Sequence, residues 1–142
     1  MNFTISVTLL GYVVAAHTSM LSFNLFKLTL LIFANIFAVA FAFVINELED
    51  AEDDGKKINI TLARNLSIIT FIISFLLYLL LGKLTFIFGF SILVLGFLYS
   101  WKKVRLKGYP IVDILSHCLM LGGLIFLPGY FSQGQFLGKA IF

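Results

Sequence analysis

The chain is a succession of long apolar stretches, and this feature rules out most of the ways in which 142 residues can fold. The stretches run from about Phe3 to Phe23, Leu25 to Ile45, Leu62 to Leu81, Phe86 to Trp101 and Ile111 to Phe131. None carries more than one Asp, Glu, Lys or Arg. An α-helix rises about 1.5 Å per residue and the hydrocarbon core of a bilayer is about 30 Å thick, so roughly 20 apolar residues cross it. In lipid, every backbone N–H and C=O must be bonded within its own segment or in a closed barrel, and these runs lack the alternation of barrel strands. The expected fold is therefore all-α: a polytopic membrane bundle of about five transmembrane helices forming one transmembrane domain over residues 1–142.

Composition excludes the soluble alternative. The chain is 61% hydrophobic and 12% charged, with a mean hydropathy of +1.06. A soluble domain is about half apolar and about a quarter charged, because it has a water-facing surface to cover. The net charge of +3 does not point to nucleic acid, since the basic residues sit in loops beside the apolar runs. Lys56, Lys57 and Arg64 follow the second run, and Lys102, Lys103, Arg105 and Lys107 follow the fourth. The opposite side carries Lys27, Lys83 and Lys139. Positive charge gathers on the cytoplasmic side of membrane proteins, so the N-terminus and the loops after the second and fourth runs are expected there. The first run lacks a basic leader and a small-residue cleavage pattern, and it reads as a retained helix. Cys118 is the single cysteine, which excludes an internal disulfide and a thiolate metal site.

The acids are distributed unlike everything else. Six of the seven, Glu47, Glu49, Asp50, Glu52, Asp53 and Asp54, fall within eight residues at the end of the second run. Like charges packed this densely repel one another, and more strongly where the dielectric falls at a membrane boundary. If the second helix continues past the membrane surface, Asn46, Asp50 and Asp54 stand at i, i+4 and i+8 on one face. Carboxylates and an amide suit a hard cation, and Mg²⁺ takes one or two protein carboxylates with water and substrate phosphates completing its shell. The chemistry implied is that of a phosphate ester. The plain alternative is a solvated acidic loop partly offset by Lys56 and Lys57.

The segment INELEDAEDDGKK resembles the first aspartate-rich motif of the UbiA superfamily of intramembrane prenyltransferases, N-D-x-x-D-x-x-x-D at the end of the second helix. Asn46, Asp50 and Asp54 match in register, and Glu47 stands in the second position. YSWKKVRLKGYP, after the fourth run, resembles the family's Y-x-x-x-K motif through Tyr99 and Lys103, with Arg105 and Lys107 in the basic loop that follows. IVDILSH, with Asp113 and His117, is similar to the start of the fifth helix.

The resemblance implies Mg²⁺-dependent transfer of a prenyl group from a polyprenyl diphosphate to a lipophilic acceptor within the lipid bilayer. Asn46, Glu47, Asp50 and Asp54 are then the metal ligands. Asn46, Lys103, Arg105 and Lys107 bind the diphosphate, and Asp50, Asp54, Tyr99 and Lys103 carry the reaction. Family members have about nine helices and a second motif, D-x-x-x-D, whereas Asp113 is the only acid here after Asp54. The resemblance thus implies the N-terminal part of a longer bundle, either continued in the same chain or completed by a second one. The competing expectation is a membrane protein that binds or conducts divalent cations through the acidic cluster without catalysis. His17 and His117 read most simply as neutral histidines bonded to neighbouring helices, and Gly89, Gly96, Gly122 and Gly123 as positions of close helix packing.

Overall fold

A computed structural model describes residues 2–19, 24–55 and 58–132, without the side chains of residues 2, 18, 19 and 52–54. All regular elements among the described residues are helical: α1 (Asn2–Ser19), α2 (Leu25–Asp54), α3 (Ile60–Leu81), α4 (Lys83–Ser100), a 3₁₀ turn (Leu106–Gly108), α5 (Pro110–His117), a π-helical stretch (Cys118–Leu124) and α6 (Ile125–Phe131). The last three form a continuous rod over Pro110–Phe131, and this rod, Leu25–Ala51, α3 and α4 are each long and apolar enough to cross a membrane. The expected all-α membrane bundle is what the chain forms. Among the described residues the first apolar helix covers Phe3–His17 within α1, and residues 20–23 of its apolar run lie outside them.

Local chemistry sets the helix ends. Asn24 and Asn59 accept hydrogen bonds from Lys27 N and Leu62 N, both at 3.0 Å, satisfying an orphan N–H in the first turns of α2 and α3. Gly55, in the left-handed conformation, ends α2. Between α3 and α4 stands the single residue Gly82, at φ 115 and ψ 164, a conformation closed to residues with a Cβ. The tight LGKL connection follows from it.

The helices expose large apolar side chains as well as burying them. On α3, Leu62, Leu66, Ile69, Ile72, Leu76 and Leu80 are exposed, while Ser67, Ser74 and Tyr78 are buried. Lipid can solvate the large apolar face, and small and polar residues join large apolar ones such as Leu31, Ile92 and Leu93 in the helix contacts. Ser74 Oγ donates to Ala34 O at 2.9 Å, and α2 and α3 lie close along Ala34 and Ala38. Asn35 donates to Thr8 Oγ1 at 2.6 Å and accepts from the Tyr78 hydroxyl, tying α1, α2 and α3 together at their centre. Gly11 and Gly129 allow α1 and α6 to meet backbone to backbone: a Cβ on Gly11 would lie 2.3 Å from Phe126 O.

The last helix continues through Pro128 to Phe131, and its irregularity lies upstream in the π-helical stretch. Pro128 has no N–H to offer the carbonyl of Leu124 in the α-helical ladder, and Leu124 is also the last π-helical residue. The close packing expected of Gly122 and Gly123 is not found among the described residues, where a Cβ on either would meet no other helix, whereas Gly89 packs on the Tyr78 ring and Gly96 on Ala42.

Candidate functional site

Helix α2 runs unbroken from the bundle through the acidic segment, which places Asn46 and Asp50 one turn apart on the same face. Asn46 Nδ2 donates to Asp50 Oδ2 at 3.1 Å, and this bond orients the amide. Its oxygen is thereby turned to the other side, where it accepts from Ser100 Oγ at 3.2 Å and Lys107 Nζ at 2.7 Å. Lys107 also forms an ion pair with Asp50 Oδ1. The lysine side chain is 15% exposed and the aspartate 27%, so water and salt screen the pair only in part.

The loop after α4 delivers Lys107 by folding back in successive turns. Arg105 N donates to Trp101 O at 2.7 Å, Gly108 N to Arg105 O at 2.8 Å, and Asp113 N to Tyr109 O at 2.8 Å. Arg105 takes a positive φ of 42, uncommon for a residue with a side chain, and the chain reverses there. Lys102 N donates to Glu49 Oε2 at 3.3 Å, tying the loop to the outer turn of α2.

Beneath these groups lies a cavity of about 290 Å³, with Asn46, Asp50, Lys107, Tyr99 and His117 on its polar side. Ala38, Val39, Ala42, Phe43 and Ile92 form apolar wall on α2 and α4, and Met120 and Leu121 of the π-helical stretch, with Ile125, form the rest. Tyr99 donates to Asp113 Oδ1 at 2.7 Å, and His117 Nδ1 faces the same carboxylate oxygen and Asp113 O, each at 3.2 Å. The His117 ring meets Tyr99 edge to face at a centroid distance of 5.1 Å.

Of the residues singled out from the sequence, Asn46, Asp50, Tyr99 and Lys107 come together. Glu47 is exposed on the neighbouring face of α2, in a groove with Ile58, Asn59 and Leu62 at the start of α3. Lys103 is exposed, its Nζ 5.6 Å from the centre of the Trp101 ring, and Arg105 is exposed at the reversal of the loop. The side chain of Asp54 lies outside the described residues; its backbone is the last helical residue of α2. Lys56 and Lys57 also lie outside them. Ser100 was not legible as a site residue: only its burial and its bond to Asn46 mark it.

Among the described residues no group of three or more His, Cys, Asp or Glu is placed to hold a metal ion. Mg²⁺ does not need one, since two protein oxygens suffice when phosphate and water supply the rest. The Asn46 carbonyl oxygen and the Asp50 carboxylate fit that requirement, and both are already turned toward a cation, the Lys107 ammonium.

Fold and site together define an all-α bundle of membrane-spanning helices with a cluster of polar and charged side chains at one end of a largely apolar cavity. The chain belongs to the UbiA prenyltransferase family, whose model matches residues 4–142. Members of this family act on prenyl diphosphates and lipophilic acceptors in the membrane, generally with Mg²⁺ held by acidic motifs, and membership supports a prenyltransferase-type function for this chain. No curated protein and no solved structure matches it.

Proposed function

We propose that this protein contributes the first acidic wall of a Mg²⁺-dependent prenyltransferase site, binding a polyprenyl diphosphate whose prenyl group passes to a lipophilic acceptor. The observation that carries the reading is the juxtaposition of Asn46, Asp50 and Lys107 with the mouth of an apolar cavity. Asn46 and Asp50, with Asp54 on the next turn of α2, offer oxygen donors to the metal, while Glu47 lies on the neighbouring face. The metal, when bound, neutralises charge that develops on the departing diphosphate.

Lys107 hydrogen-bonds the diphosphate oxygens, and Arg105 and Lys103 on the same loop draw the anion in from water. The aliphatic wall of Ala38, Ala42 and Ile92 holds the first isoprene units, and Phe43 and Tyr99 offer aromatic surface to the allylic cation formed as the C–O bond breaks. Tyr99, held by Asp113, keeps a fixed position at the polar end of the cavity. A second aspartate-rich segment of the D-x-x-x-D type does not occur in residues 1–142.

Asp50→Asn tests the assignment. Calorimetric titration of detergent-solubilised protein with a non-cleavable polyprenyl thiodiphosphate should show Mg²⁺-dependent binding that the variant loses. Binding unchanged by the substitution would overturn the reading. Cation flux in vesicles without any prenyl donor would favour a conducting function instead.

A further inference from the structure

One ammonium group occupies both oxygens that the proposed function assigns to Mg²⁺. Lys107 Nζ is 2.7 Å from Asn46 Oδ1 and ion-paired with Asp50 Oδ1, and its side chain is largely buried in that position. The lysine reaches there from a separate element, through a loop reversed at Arg105 and anchored to Glu49 by Lys102 N. Its contacts are therefore set by the tertiary fold and not by helical spacing. Asn46 presents its oxygen to the ammonium because its amide nitrogen is committed to Asp50.

An ammonium ion and Mg²⁺ cannot share two oxygens, because like charges about 3 Å apart in a partly buried site repel strongly. A diphosphate removes the conflict. It brings negative charge that can bind the metal and the ammonium at once, and lysine forms strong charge-assisted hydrogen bonds with phosphate.

We propose that Lys107 is an internal cation that fills the Asn46–Asp50 site in the donor-free protein and moves onto the diphosphate when Mg²⁺ and donor enter together. This rests on the reading of Asn46 and Asp50 as cation ligands given above. Without donor the acidic site is neutralised from within and takes up little metal. With donor, the lysine exchanges one set of oxygens for another, and metal and diphosphate bind cooperatively. Cooperativity of this kind is reciprocal, so each ligand tightens the other by the same factor.

The test is calorimetry on the solubilised protein with Mg²⁺ alone, and with Mg²⁺ and inorganic pyrophosphate after subtraction of their association in buffer. Wild type should bind Mg²⁺ about tenfold more tightly with pyrophosphate present than without it, a factor typical of linked sites. Lys107→Met should bind Mg²⁺ alone about tenfold more tightly than wild type, the size expected when a competing partly buried ion pair is removed, and should lose the coupling. Lys107→Arg, which keeps the cation, should stay close to wild type for Mg²⁺ alone.

Equal or weaker Mg²⁺ affinity in Lys107→Met would show that the lysine only braces the loop. Independent binding of the two ligands in wild type would overturn the proposal even if Lys107→Met failed to fold. If wild type bound no Mg²⁺ with pyrophosphate present, the assignment of Asn46 and Asp50 would itself fail. If Mg²⁺-pyrophosphate bound without coupling, that assignment would stand and the role of Lys107 alone would fall.

Discussion

The hydroxyl of Tyr99 donates to Asp113 at 2.7 Å, joining the end of α4 to the start of α5 and closing the base of the loop that carries Lys107. A hydrogen bond to a charged partner contributes about 1.5–3 kcal/mol. Tyr99→Phe removes this tie while keeping the ring in place beside His117. It should weaken binding of a polyprenyl thiodiphosphate about tenfold, corresponding to about 1.4 kcal/mol of lost loop order. Calorimetry on the variant checks this, and an unaltered dissociation constant would remove Tyr99 from the site.

Gly89→Ala should destabilise the bundle. A Cβ there would lie 2.3 Å from the Tyr78 ring. The ring has no room to yield, being fully buried with its hydroxyl bonded to Asn35. Alanine gains about 1 kcal/mol in helix propensity, but overpacking typically costs about 1–3 kcal/mol and leaves a net loss here. Thermal unfolding in detergent should shift to lower temperature, and a higher midpoint would show that the Tyr78–Gly89 contact is looser than it looks.

Asn35→Ala strips the Tyr78 hydroxyl and Thr8 Oγ1 of their shared partner at the centre of three helices. Thr8 Oγ1 keeps its bond to Thr4 O at 2.8 Å, so the loss lies between the average of about 0.6 kcal/mol for an interhelical hydrogen bond in a bilayer and the cost of about 1–3 kcal/mol for a buried unpaired group. The expected loss is about 1–2 kcal/mol on those grounds. Combining Asn35→Ala with Tyr78→Phe should cost less than the sum of the two, since they remove the same bond. Strict additivity in unfolding measurements would mean that the network does not couple the helices.

Orientation is open to direct labelling. The excess of basic residues after α2 and α4 predicts a cytoplasmic side for those loops, opposite Gly82 and Lys83. In a Cys118→Ser background, needed because Cys118 is exposed, Lys83→Cys should react with an impermeant maleimide in intact cells. Lys102→Cys should react only after the membrane is opened. The reverse pattern would invert the topology without altering the site.

Much of the fold was legible because a bilayer tolerates few sequences. The four long apolar helices follow from run length, and the extension of α2 beyond the apolar run placed Asn46 and Asp50 on one face by helical spacing alone. The site was legible only along single helices. Lys103 and Lys107 are equally basic neighbours on one loop, yet Lys107 turns inward and Lys103 lies over Trp101. The reversal at Arg105 separates them, and a positive φ at an arginine leaves no trace in composition or periodicity. Glu47 shows the converse: adjacent to Asn46 in the chain, it sits about 100° around the helix and faces the start of α3.

The amino-acid sequence by itself determined that this chain lives in a membrane, that its segments are helices, and that its acids collect at one end of α2. Desolvating the backbone in hydrocarbon costs so much that run length and charge placement leave little choice. Only the tertiary structure decided which of the charged residues meet, that Ser100 joins them, and that a π-helical stretch forms part of the cavity wall below them. Those outcomes depend on packing between helices far apart in the chain, where a loop with a positive φ at Arg105 separates side chains that local spacing treats as equivalent.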